Sequence, residues 1–181
     1  MDPVKRYIIS GGPGAGKTTL LEALKQLNYP CFDEVSRQLI TEQVAGNTGC
    51  LPWTDLPCFA GKALQRMTGL HRQAACCHGA TFFDRGIPDI IAYLKVAGLP
   101  VAENYYTALL NHPYQHTVFM LPPWKEIYVN DPERWQTFRE ATAIYEVLQE
   151  TYQALNYTLV EIKKGPVHQR VQQITRIVTT A

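Results

Sequence analysis

No run of one charge sign stands out in the 181 residues: 17 lysines and arginines oppose 16 acidic residues, for a net charge of +1. Dedicated nucleic-acid binders carry a basic excess or a basic stripe, so there is no strong nucleic-acid signal here. No stretch is long and apolar enough to cross a bilayer, and Met1 to Arg6 lack the apolar core of a signal peptide. The expected location is the cytoplasm, without a membrane partner. Cys31, Cys50, Cys58, Cys76 and Cys77 form no C-x-x-C pair, which speaks against a thiolate metal site and predicts reduced thiols. The histidines fit no common zinc spacing. Repeats, low-complexity tracts and linkers are absent, so residues 1–181 read as one domain.

What is present suffices for a core, with 46% of residues hydrophobic. Val4 to Ser10 reads as a buried strand. Lys17 to Leu27 reads as a helix, with Leu20, Leu24 and Leu27 on one apolar face. Further strands are expected at Tyr29 to Phe32, Ala80 to Phe83, Thr117 to Leu121 and Thr158 to Ile162. Further helices are expected at Val35 to Val44, Phe59 to Cys77, Pro88 to Ala97, Val101 to Asn111 and Val167 to Val178. Gly46 to Pro57 reads as a loop. A long helix should open at Asp131-Pro132, with aspartate as cap and proline in the first helical position. Its stripe includes Trp135, Phe138, Tyr145, Leu148 and Tyr152. The alternation of elements predicts an α/β fold, a five-stranded parallel sheet with helices on both faces.

The segment Gly11-Gly12-Pro13-Gly14-Ala15-Gly16-Lys17-Thr18 matches G-x-x-x-x-G-K-[ST] and lies between an apolar strand and an amphipathic helix, as a P-loop requires. Glycines let the backbone wrap a phosphate, and the following helix aims the positive end of its dipole at the same place. Lys17 is expected at the β and γ phosphates, Thr18 on Mg²⁺, and Thr19 as an additional phosphate contact. The absence of an N-K-x-D element favours ATP over GTP.

In an open parallel sheet the ligand lies beyond the carboxyl ends of the strands. Asp84, at the end of the third strand, has the position of the acid that holds Mg²⁺ in P-loop proteins; a helix cap is its other reading. Many ATPases put a glutamate next, to activate water, but here the residue is Arg85. A cation there suits a phosphate clamp and argues for phosphoryl transfer over hydrolysis. Asp33 or Glu34, after the second strand, would orient an acceptor hydroxyl and take its proton, or else serve as cap and first-turn acid of the next helix. Arg134 and Arg139 are candidates for a lid over the triphosphate, or are solvated surface arginines.

Beyond the P-loop, the segments CFDEVSRQLI, FFDRGIPDIIAYL, VFMLPPWKEIYVNDPERWQTF and YTLVEI resemble the single-domain AAA-type ATPase domains described as predicted kinases. The resemblance runs from about Lys5 to Val178. More distantly the chain is similar to nucleoside and nucleotide kinases, including ribosylnicotinamide kinases. Deoxynucleoside kinases carry an acid after the second strand and an acid-Arg-Ser motif after the third; this chain has Asp33-Glu34 and Asp84-Arg85-Gly86, with Gly86 departing from the pattern. The resemblance implies an adenylate-kinase-like sheet order in a three-layer α/β/α P-loop NTPase fold, and an arginine-bearing lid. The activity expected is an ATP- and Mg²⁺-dependent kinase for a small hydroxyl-bearing metabolite, a nucleoside among the candidates. The alternatives are an ATPase coupled to a partner protein and a non-catalytic nucleotide sensor.

Overall fold

A computed structural model describes residues 3–129 and 136–180. Five strands form one parallel sheet: β1 (Lys5–Gly11), β2 (Cys31–Phe32), β3 (Ala80–Asp84), β4 (Thr117–Leu121) and β5 (Thr158–Glu161), in the order β2-β3-β1-β4-β5. The chain leaves β1 toward one side for β2 and β3, then crosses to the other side for β4 and β5. The carboxyl end of β1 is therefore a topological switch point, where such sheets hold ligands.

Side chains of a strand alternate between its two faces, and here each face has its own core. Tyr7, Ile9, Phe82, Phe119 and Leu121 pack beneath helices α1 (Lys17–Gln26) and α7 (Val167–Thr180). Ile8, Phe83, Val118 and Met120 face the opposite layer. That layer comprises α2 (Val35–Ala45), α3 (Leu56–Gln73), α4 (Ile87–Val96), α5 (Glu103–Asn111) and α6 (Phe138–Ala154). The expected three-layer α/β/α architecture is the observed one.

Several boundaries differ from the sequence reading for local reasons. The second strand is shorter than Tyr29 to Phe32, because Pro30 has no N–H for the ladder and contributes only its carbonyl, which accepts from Phe82 N at 2.9 Å. Helix α3 starts earlier, at Leu56, because the Asp55 carboxylate accepts from Cys58 N at 3.0 Å. It ends at Gln73, with Ala74–Cys76 continuing as a single 3₁₀ turn. Leu27 is 55% exposed, and the buried apolar face of α1 is Leu20, Leu21 and Leu24. The expected helix start at Asp131-Pro132 and the stripe residue Trp135 lie outside the described residues. Helix α6 begins at Phe138 with a capping box, in which Glu140 N donates to Thr137 Oγ1 and Thr137 N to the Glu140 carboxylate.

The expectation of uniformly reduced thiols is corrected: Cys50 and Cys58 form a disulfide across a sequence separation of 8, tying the α2–α3 loop to the first turn of α3. Nothing in the spacing C-x₇-C announces such a pair. Closing so short a loop restricts the unfolded chain by about 2–3 kcal/mol on the chain-entropy model. Reduction, or the Cys50→Ser/Cys58→Ser double change, should lower Tm by roughly 4–12 °C for a domain of this size. A calorimetric scan with and without reductant checks this; identical midpoints would remove the disulfide from the list of stabilising features. No helix among the described residues is long and apolar enough to cross a membrane.

Candidate functional site

The loop after β1 wraps because Gly14 and Gly16 adopt left-handed conformations, φ 73° and 78°. A Cβ on Gly14 would lie 2.5 Å from Tyr128 Cδ2, so another residue there meets both a strained conformation and a ring; at Gly16, where the nearest atom is Arg170 Nη1 at 3.0 Å, the left-handed backbone is the main constraint. Helix α1 then opens at Lys17 without a side-chain cap, leaving its first-turn amides free of an internal competitor for an anion. Pro13 to Thr19 line one end of a cavity of about 700 Å³, with Thr18 and Thr19 exposed to it. Gly11 and Gly12 are buried behind, and their carbonyls accept from Lys17 Nζ at 3.2 and 3.1 Å.

Lys17, Asp84, Arg85 and Glu34 form a charged cluster beside this loop. Lys17 is buried, and desolvation, helped by the charge of Arg85, lowers its ammonium pKa to about 8 against the pull of nearby carboxylates. Asp84, at the end of β3, is 4% exposed; burial and the charge of Glu34 raise its carboxyl to about 7. Its Oδ1 is buried without a hydrogen-bond partner, so this oxygen is not a helix cap. Arg85 sits at φ 72°, a conformation that costs a non-glycine residue roughly 1–3 kcal/mol. Its N–H bonds Ile9 O at 3.0 Å, while its guanidinium donates to Glu34 Oε1 (3.0 Å), Gly11 O (3.1 Å) and Asp89 Oδ1 (3.2 Å). Burial opposes ionisation of Glu34, but Arg85 and Lys17 outweigh it and hold the carboxyl below its ordinary range.

Glu34 and Asp33 separate clearly. Glu34 occupies the N-cap position of α2 yet makes no side-chain cap hydrogen bond; its carboxylate faces Arg85 and lines the cavity. Asp33 is exposed, pairs with Lys25 of α1, and does not line the cavity. Arg139 is exposed on the first turn of α6 and also lies off the cavity wall. Arg134 lies outside the described residues.

Sequence reasoning missed two residues of the site. Asp89, 1% exposed, accepts from Ser10 Oγ (2.6 Å), Arg85 Nη1, Gly86 N (2.8 Å) and the Tyr152 hydroxyl (2.5 Å), which joins β1, α4 and α6 behind the P-loop. The i, i+4 spacing from Arg85 to Asp89 was a usable signal. Arg170, 4% exposed on α7, donates to Ala15 O (3.1 Å) and Gly16 O (3.5 Å) and lies over the Trp124 ring at 5.7 Å. A separation of 155 residues from Ala15 left no local trace of that contact.

This sheet order and loop are those of the P-loop NTPase fold. The chain belongs to the AAA domain family, whose model matches residues 6–170. No curated protein matches the chain in sequence. Among solved structures, deoxyadenosine kinase from M. mycoides is similar with a TM-score of 0.70 and 18% identity, over 97% of this chain and 100% of that one. Thymidylate kinase from Candida albicans gives 0.69 and 16%, over 98% and 92%. A NadR protein in complex with NR gives 0.72 and 16%, over 98% of this chain and 52% of that one. Identities this low speak for a shared fold alone. At Gly86, where the resemblance to deoxynucleoside kinases expects serine, an added Cβ would lie 2.4 Å from Ile8 Cδ1. The glycine follows from the close approach of the turn between β3 and α4 to Ile8 of β1.

Proposed function

We propose that the chain is an ATP- and Mg²⁺-dependent phosphotransferase acting on the hydroxyl of a small metabolite. The observation that carries this reading is the Glu34–Arg85 pair in the wall of the cavity that begins at the P-loop. Many ATPases place a group that activates water directly after this aspartate, whereas here that position holds a buried arginine with three acceptors already engaged.

Each residue has a definite task in the proposed reaction. The amides of Gly14 to Thr18 and the Lys17 ammonium hold the phosphates. The Thr18 hydroxyl and Asp84 would hold Mg²⁺, which supplies charge neutralisation at the phosphates; the orphaned, buried Asp84 oxygen suits that partner. Glu34, kept ionised by Arg85, accepts the proton of the acceptor hydroxyl as its oxygen bonds to the γ-phosphorus. The bond from that phosphorus to the bridging oxygen breaks, and ADP carries away the electron pair. Arg85 stabilises charge on the transferring group. Asp89, bonded to Arg85 and to the amide of Gly86, keeps that guanidinium in place.

The test is ATP turnover with Mg²⁺ over a panel of alcohols and nucleosides, reading both ADP and phosphorylated product. A product with one acceptor, above a slow background, is expected. Rapid ADP release with no phosphorylated product would move the assignment to a hydrolase coupled to a partner protein. Tight ATP binding without turnover would move it to a nucleotide sensor.

A further inference from the structure

Away from the P-loop the cavity changes character. Its far walls, on α2, α3 and α4, are formed by Ile40, Leu56, Phe59, Ala63, Met67 and Ile90, whose side chains carry no hydrogen-bonding N or O atom. The charged groups on the acceptor side gather at the near end: Glu34, Arg85, the buried Asp89 bonded to it, and Arg37, whose Nε lies 3.7 Å from Glu34 Oε2. Tyr93 marks the boundary, its ring lying 5.4 Å from Arg85 Cζ. The cavity is also lined by Ser36 of α2 and by Gln136 ahead of α6, but none of the six apolar side chains just named offers an amide to read the edge of a base.

A nucleobase carries several donors and acceptors on its edge. Buried against hydrocarbon they lose their water partners and gain none, and each group so stranded weakens binding by roughly tenfold or more. Sites that discriminate strongly among polar ligands do so with matching polar groups. These walls match a ligand whose body needs no such partners, while the near end matches a hydroxyl.

We propose that the acceptor is an uncharged alcohol with a hydrocarbon or aromatic body, and that nucleosides are disfavoured. The proposal rests on the kinase reading for what happens to the hydroxyl, but the selectivity of the pocket can be measured without turnover. The hydroxyl end lies at Glu34 and Arg85, and the body lies along α3 between Ile40 and Ile90.

The test is calorimetric binding of cinnamyl alcohol, geraniol, adenosine and thymidine to the full chain with Mg²⁺ and a non-hydrolysable ATP analogue. At least one of the apolar alcohols should bind at one site per chain, at least tenfold tighter than either nucleoside. Met67→Gln, which puts an amide on the wall at similar volume, should weaken that alcohol about tenfold. Ile40→Asn, at a half-buried position less critical for folding, should do the same. Nucleosides that bind as tightly as the alcohols, alcohols that do not bind, or alcohol binding unchanged in both variants would overturn the proposal. Product analysis by mass spectrometry then separates the two claims. Alcohol binding without transfer retains the pocket assignment and sinks the kinase reading; nucleoside binding with transfer does the reverse.

Discussion

Replacing Lys17 with alanine should reduce ATP turnover by roughly 100- to 1000-fold, the usual effect of removing one preorganised donor from a developing charge. The side chain is buried and its Nζ is held by the Gly11 and Gly12 carbonyls, so it is already confined to the loop it serves. Folding should not suffer, because burial disfavours this charge, as its pKa near 8 records. The midpoint of unfolding without nucleotide should therefore be unchanged or raised, while the rise in midpoint caused by ATP and Mg²⁺ should shrink or vanish. Turnover and thermal scans on the same preparation separate the effects. Full activity in the variant would remove Lys17 from the site; a collapsed midpoint without nucleotide would mean the lysine is needed for the fold instead.

How far the sequence could be read follows from how locally each feature is encoded. The P-loop is contiguous, and its strand and helix flanks are set by neighbouring residues, so both the motif and its context were legible. The sheet order was legible through the resemblance, not through periodicity, because pairing of β1 with both β3 and β4 depends on contacts distant in the chain. Asp33 and Glu34 could not be told apart from spacing. One turns to Lys25 and the other to Arg85, and that difference depends on how α2 leaves the edge strand. Arg85 in a left-handed conformation has no sequence signature, since only the completed network around its guanidinium holds it there. The Cys50–Cys58 bridge has no sequence signature, because cysteine composition speaks to compartment and not to geometry. Arg170 was invisible for a plainer reason: it sits on the last helix and reaches the first loop.

The same network makes Glu34→Gln the most informative single change on the acceptor side. Glutamine keeps the size and a hydrogen bond to Arg85 but cannot take a proton. If Glu34 is the base, kcat with the true acceptor should fall by roughly 100- to 10000-fold, the range for loss of a positioned general base. The apparent affinity for ATP should change little, because Glu34 holds no part of the P-loop. A purely structural role predicts a different pattern. Losing the charge that balances Arg85 would disturb the guanidinium, which also holds Gly11 O, and ATP affinity and thermal midpoint would fall together with kcat. Asp33→Asn is the paired measurement: a large loss of kcat there, with Glu34→Gln nearly silent, would transfer the role to Asp33 despite its bond to Lys25. Chemical rescue sharpens the outcome, since an added small carboxylate should restore part of the Glu34→Gln turnover only if a proton acceptor is what was lost.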